Sequence, residues 1–487
     1  MGMQEASVAH TPSLAPPEVY GGPRRSLVLA GGGMRVAYQA GAMLAMEEAG
    51  LCFAHVDGAS GGTMNLGMLL SGLSPTEMCE RWRTLDPKGF MALLPVKDYV
   101  RSLRWPALGA ATGVSQKVFP HLGIDVARIR GARGITGTFN VCNYTRMIDQ
   151  VIEHTDIDPD LLVAGVSLPM VMPAISRGGE IFTDAVWIRD ANPLEALQRG
   201  AEEIWLIWCI GNTPGYHNGV FRQYVHMIEM AANGSLFKDF ERVNELNKQR
   251  QRPAILHVVK PSSGIPLDPD YILGRIDAAT LSNIGYQDAR AYLDALPAGG
   301  IAWDAEATRM AEPAPGVTFR LTAAGPFALG ATDPQSGCSA GRRAGTTLGF
   351  HLAAQFDTER DGVARRARLF GQVTASGLGD QVPLSAGVLE LDDHGRLTIE
   401  LTSGPAGEDR HLSGVLIRHG GQPALGVTVH EGRTRESEVI GAGMLPLRRP
   451  QLWELATTLH ATNAPSAGKA LGADLALARR LIRAMRG

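Results

Sequence analysis

The run Gly58-Ala59-Ser60-Gly61-Gly62 has the spacing G-x-S-x-G, in which small neighbours allow a sharp turn that leaves the serine hydroxyl exposed. A hydroxyl is a weak nucleophile at neutral pH; it needs a base, and donors for the charge that develops on its substrate. Upstream, SLVLA runs into AGGGMRVAYQAG, where Gly31, Gly32 and Gly33 make a tight turn whose backbone N–H groups face the start of the next helix. Such a nest holds negative charge, and two chemistries use it: binding of a dinucleotide pyrophosphate, or stabilisation of the oxyanion of a tetrahedral acyl intermediate. The first wants Gly or Ala at 36, where Val36 stands, and an acid about 20 residues on, which Asp57 supplies. A second G-x-S-x-G centres on Ser339, but RRAG and then β alternation follow it, so it reads as a loop. If the base were a histidine, the α/β-hydrolase order would offer His217, His226 or His257. None has distinctive neighbours, and His226, in VHMIEM, reads as a surface or core-face residue.

These groups act only if the fold brings them together. Between about residues 24 and 300, short apolar strands alternate with helical stretches, the pattern of a parallel sheet covered on both faces. The strands are SLVLA (26–30), LCFAHV (51–56), EIWLIWCI (203–210) and AILHVV (254–259); helices are expected at 36–49 and within 219–247. Two neighbouring strands would then end in the N–H nest and the hydroxyl at one carboxyl edge, where open α/β sheets place their sites. The stretch 80–135, with Trp82, Trp105 and Pro106, has no clear element and reads as a cap over a cleft. From about 316 the period becomes two: TLGFHLAAQF alternates, and VLELDDHGRLTIEL reads as a hairpin turning at DDHG, where Asp392 and Asp393 are turn residues. The expected division is a flexible tail (1–23), an α/β domain (24–297), a linker (298–316), an antiparallel β domain (317–446) and a helical tail (447–487). In the last helix Leu475, Ala478, Leu481, Ile482 and Met485 share a face, with arginines around it. That face suits either the chain's own core or an anionic lipid surface.

Composition limits the alternatives. Of 487 residues 45% are hydrophobic and 20% charged, so the chain folds, and it is long enough for two or three compact units. With 46 basic and 49 acidic residues it has no net positive field, and nucleic acid is not an expected partner. Five scattered cysteines without a CxxC pair form neither a disulfide framework nor a zinc site, which fits a reducing compartment. The first residues lack the basic and apolar regions of a secretion signal, and the apolar run 161–175 is interrupted by prolines and too short to span a bilayer. The expectation is a cytoplasmic protein, peripheral at a membrane if its last helix lies there.

In this order, GGGMRV, GASGG and TDAV resemble the motifs of the patatin-like phospholipases, and among them the bacterial single-chain acyl hydrolases. The resemblance runs over about residues 24–297. It takes in the apolar, proline-bearing approach to Asp184 from residue 163 and the close at Asn192 and Pro193. It implies an α/β, patatin-like three-layer domain with a mainly parallel central sheet. It also implies hydrolysis of lipid acyl esters, of phospholipase A type, by a Ser–Asp dyad without histidine. Ser60 is then the nucleophile and Asp184 the base; Gly31, Gly32, Gly33, Arg35 and Gly61 form the oxyanion and substrate-binding loop; neither metal nor organic cofactor is required. The β domain more weakly resembles one appended to some bacterial patatin-like proteins and to flavin-dependent sterol or alcohol oxidases, which implies binding, substrate orientation or oligomerisation. Val36 stands where the family prefers Gly, and Ala185 where its D-G continues, so the backbone at both must accept a β-carbon. Two other readings stay open: a catalytically degenerate patatin-fold module that binds lipid or protein, and a dinucleotide-binding protein. Head group, acyl position, chain length and oligomeric state are not legible.

Overall fold

The computed structural model describes residues 9–86, 113–212, 220–262, 264–265, 276–357, 365–405, 407–464 and 466–486. It divides into two compact units, Met1–Glu312 and Pro313–Gly487.

The first unit is built on one mixed sheet. Its strands are β1 (Arg25–Leu29), β2 (His55–Ala59), β3 (Thr136–Asn143), β4 (Ile148–Glu153), β5 (Ile175–Arg177), β6 (Glu180–Asp184), β7 (Glu203–Ile207) and β8 (Ile255–Val259). They lie in the order β5-β6-β3-β2-β1-β7-β8, with β4 also on β3. Strands β1, β2, β3, β7 and β8 are parallel; β4, β5 and β6 run antiparallel to their neighbours. Side chains of β1 alternate between two cores: Leu27 and Leu29 pack with α1 (Ala37–Glu48), α2 (Gly61–Leu70) and the helix Ala278–Asp294, while Val28 packs against the helix Val220–Asn247. Burial on both faces is why these strands read as continuous apolar runs.

Register does the positioning. Leu29 pairs with Gly58, Ala59 with Asn140, and Val141 with Asp184. The glycine turn after β1, the serine after β2 and the acid ending β6 therefore meet at one edge of the sheet.

Several local expectations shift. Strand β2 begins at His55, not Leu51, and runs through Asp57 and Gly58, because pairing with Ser26 to Leu29 sets its span. Residues 9–15 are not loose: Leu14 is buried in the core, and a ring nitrogen of His10 lies 2.9 Å from Leu70 O. Nor is 298–312 a free linker. Trp303, Ala307 and Met310 fill the core beneath the Val220–Asn247 helix, and Trp303 Nε1 donates to Ala254 O at 3.2 Å. Trp82 is buried in α3 (Pro75–Thr84). Trp105, Pro106 and the centre of the expected cap lie outside the described residues.

In the second unit eight strands follow in sequence: β9 (Gly316–Leu329), β10 (Thr347–Asp357), β11 (Arg366–Ala375), β12 (Gly379–Leu391), β13 (Leu397–Ser403), β14 (Arg410–His419), β15 (Gln422–Glu431) and β16 (Val439–Pro446). Each is antiparallel to the next, and β16 pairs back to β9, which also holds β10. The antiparallel domain thus closes into an up-and-down barrel, filled by residues such as Phe319, Phe350, Leu389, Leu401 and Val427. The hairpin turns where expected, with Asp392 Oδ1 accepting from the His394 and Arg396 N–H groups. Ser339 is not in a loop. It is exposed within the helix Pro334–Ala344, which Asp333 caps and Pro334 opens. In the last helix, Ala467–Arg486, the buried residues are Leu477, Leu481 and Ala484, while Leu475 and Ile482 stay exposed, so the packed stripe is rotated from the expected one. No helix among the described residues is long and apolar enough to cross a membrane.

Candidate active site

Ser60 stands between β2 and α2 at φ 49°, ψ −128°. A non-glycine residue occupies this region only under strain, held there by what surrounds it. Here its glycine neighbours allow the packing. A Cβ on Gly62 would lie 2.1 Å from Leu29 O, and one on Gly61 2.6 Å from Val36 Cγ1. The start of α2 is thereby pressed onto the end of β1, and Ser60 makes the turn with 8% of its surface exposed.

Asp184 ends β6 and is buried. Its Oδ1 accepts from the Val186 N–H at 2.9 Å, and the Ser60 side chain lies close enough to lower the carboxyl's pKa. Burial pushes this carboxyl up to about 7, against the lowering effect of both neighbours. A carboxyl poised near neutrality, beside a hydroxyl, is suited to accept its proton.

In the glycine turn, Gly32 and Gly33 take φ values of 149° and 59°, conformations that need glycine. The Gly31 N–H is already engaged, donating to Asp190 O at 3.2 Å and to Asp190 Oδ2 at 3.0 Å. Gly61 opens α2, so its N–H has no partner within that helix. Arg35 is buried rather than on the surface. Its Nε donates to Gly32 O at 3.2 Å and its guanidinium pairs with Glu229 at 3.3 Å, tying the turn to the Val220–Asn247 helix. Val36 sits at φ −67°, and Ala185 is not among the residues with positive φ, so both accept their β-carbons without strain.

The residues of the competing readings lie elsewhere. Asp57 is buried in mid-strand, accepting from Thr138 Oγ1 at 2.6 Å and Asn140 Nδ2 at 2.7 Å, and burial raises it to about 8. It presents nothing to a ribose. His257 Nδ1 lies 3.0 Å from the Tyr292 hydroxyl, with its ring stacked on Trp205. His226 faces Glu229 at 3.8 Å, and His217 lies outside the described residues. Among the described residues no group of three or more His, Cys, Asp or Glu could hold a metal ion.

Two features were not anticipated. Asp57 belongs to a buried chain in which Asn140 Oδ1 accepts from Asn192 Nδ2 at 2.9 Å, and Asn192 Oδ1 accepts from the Glu195 N–H at 3.1 Å. This chain fixes the loop after Asp184 to the strands carrying Ser60. Its sequence signal was the polar pair Thr138 and Asn140, alternating in an otherwise apolar strand. The second is Asp190, wholly buried beside Gly31.

The family model for patatin-like phospholipase matches residues 27–197. A solved structure, that of VipD from Legionella pneumophila, is similar at 13% identity and a TM-score of 0.31, over 58% of this chain and 68% of that one. Among curated proteins none matches the chain. The span from β1 to the helix Pro193–Gln198, which carries Ser60 and Asp184, is a patatin-like α/β domain, and it is this span that is similar to the patatin-like phospholipases, a family that acts on lipid substrates.

Proposed function

We propose that the chain is a serine carboxylic ester hydrolase acting on lipid acyl esters in the manner of a phospholipase A, with Ser60 as nucleophile and Asp184 as base. The observation that carries this reading is a strained serine whose side chain neighbours a buried carboxyl raised to about 7. As Ser60 Oγ attacks the acyl carbon, its proton passes to Asp184 and the carbonyl π pair moves onto oxygen. In this reading the N–H groups at Gly32, Gly33 and Gly61 hold that charge; Gly31 contributes space rather than a donor. Collapse breaks the ester bond, and the leaving alkoxide takes the proton from Asp184. Water then attacks the acyl-enzyme, Asp184 accepts its proton, and that proton returns to Ser60 as the acid departs.

A lipid substrate is favoured by exposed apolar residues on the approach to the acid: the Tyr224 hydroxyl donates to Pro169 O at 2.6 Å, and the next residues, Met170 and Val171, are exposed. Labelling with a fluorophosphonate, followed by peptide mapping, should place the adduct on Ser60. Ser60→Ala and Asp184→Asn should each lower hydrolysis of a p-nitrophenyl acyl ester by at least about 10³-fold with the fold intact. Retained turnover in Ser60→Ala would overturn the reading. An adduct on another serine would move the site.

A further inference from the structure

The helix Ala467–Arg486 has two apolar faces. Leu477, Leu481 and Ala484 belong to the barrel core, and that stripe accounts for how the helix is held. At about 3.6 residues per turn, Leu471, Leu475 and Ile482 fall on a second stripe, and all three are exposed. Beside it, between this helix and the helix Arg449–Thr458, runs a groove of about 440 Å³. Leu452, Leu455 and Leu459 line it from one helix and Ala478, Ile482 and Met485 from the other. Trp453, 72% exposed, stands one turn from Ala456, which also borders the groove. A tryptophan, three aliphatic side chains and an open groove on one pair of helices exceed the single exposed apolar residues that any surface carries.

Charge indicates what covers this surface. Arg479, Arg483 and Arg486 flank the second stripe on the side away from the core; all three are exposed, and among the described residues none has an ion-pair partner. Arg480, by contrast, is turned inward, donating to Leu391 O at 2.7 Å and pairing with Asp393 at 3.4 Å. The acids of the two helices do not offset the exposed arginines. Glu454 Oε2 accepts from the Thr322 N–H at 3.1 Å, and Asp474 is half-buried beside His460. Because the whole chain carries a net charge of −3, this cationic rim is a local feature. An arginine beside an aliphatic stripe can lay its stem against hydrocarbon and hold its guanidinium at the level of lipid phosphates, and tryptophan suits the same boundary.

We propose that this pair of helices docks on an anionic phospholipid bilayer. Trp453, Leu475 and Ile482 enter the boundary of the acyl region, the groove opens onto the acyl chains, and Arg479, Arg483 and Arg486 meet the phosphates. The surface lies wholly in the second unit and does not depend on the hydrolase reading.

The test uses the full chain carrying Ser60→Ala, so that the lipid stays intact, and sedimentation with vesicles. The protein should pellet with vesicles of equimolar phosphatidylglycerol and phosphatidylcholine, remain in solution with phosphatidylcholine alone, and be released by salt. Replacing Arg479, Arg483 and Arg486 together by Gln should weaken binding by about 10²-fold, about fivefold for each charge. Ile482→Gln, a change at an exposed position, should weaken it by about tenfold with Tm unchanged. Brominated lipid should quench tryptophan fluorescence, and Trp453→Phe should remove most of that quenching. Equal binding to the neutral vesicles, unchanged binding by the triple arginine variant, or quenching that survives in Trp453→Phe would overturn the proposal. A dimer that Ile482→Gln dissociates, with no vesicle binding, would also overturn it and give the face to a second copy of the chain. Each of these results is read without hydrolysis, so failure of the roles given to Ser60 and Asp184 would leave the docking surface to stand or fall by itself.

Discussion

Glycines around Ser60 separate space needed for chemistry from space needed for folding. At Gly31 an added methyl would meet Asp190 Oδ1 at 2.1 Å, the end of a side chain, and Ser60 Cβ at 2.7 Å, which moves only with the elbow. Gly31→Ala should therefore displace Ser60 and lower kcat by about 10²-fold, because a small misplacement of reacting groups is costly, with a smaller loss of Tm than Gly62→Ala. At Gly62 the methyl would meet Leu29 O at 2.1 Å, a strand carbonyl that cannot move alone. Gly62→Ala should destabilise the unit by about 2 kcal/mol, read as a lower Tm. The opposite pattern would mean that the turn, not the β1–α2 contact, is the rigid part. Both glycines were visible in the sequence as motif letters. Their different tasks were not, since each depends on atoms remote along the chain.

Among elements, the buried side chain of Asn65 on α2 holds the site's frame. Its Nδ2 donates to Val36 O and to Gln39 Oε1, each at 2.8 Å, and its Oδ1 accepts from Trp82 Nε1 at 2.8 Å. Gln39 in turn donates to Ala30 O at 2.6 Å, at the entrance of the glycine turn. One side chain thus joins α1, α2, α3 and the turn. Asn65→Leu, close in size, would leave those buried partners unsatisfied and should cost about 3 to 5 kcal/mol in denaturant unfolding. A loss below about 1 kcal/mol would show that water replaces the amide. In the sequence Asn65 was one polar letter in an apolar helix. Its partners lie on three other segments, and local periodicity carries no trace of such contacts.

At the scale of the whole molecule, the two units have separate cores, and their acids differ. Asp57 and Asp184 in the first unit are raised by burial to about 8 and about 7, whereas in the barrel Asp333 and Asp392 are held low by hydrogen bonds. A carboxyl raised on folding binds its proton more tightly in the native state, so stability falls as pH climbs from the unfolded value toward the folded one. Buried His55, lowered to about 3, acts in the opposite direction, but only up to its unfolded value near 6.5. The first unit should therefore lose Tm between about pH 6.5 and 8 while the barrel does not, and Asp184→Asn should melt above wild type at the upper end of that range. Calorimetry resolving the two transitions would check this; a flat or rising Tm for the first unit would contradict it.

Chemistry that depends on residue type and order was determined by the sequence alone. The glycine turn, the elbow serine and TDAV follow one another as in the patatin-like family, and two-residue alternation marked the antiparallel domain. Those signals are local: a tight turn needs its glycines in place, and a half-buried strand needs its period. The tertiary structure decided what depends on distant segments meeting. It added three antiparallel strands to the expected mainly parallel sheet, closed the β domain through β9, moved Ser339 into a helix and packed residues 9–15 and 298–312 onto the first core. It also brought Asp190 beside Gly31 and Ser60. An isolated acid in IRDANP has no distinguishing pattern, and its burial, with one oxygen lacking a partner among the described residues, arises only when the loop after Asp184 folds against the turn after β1.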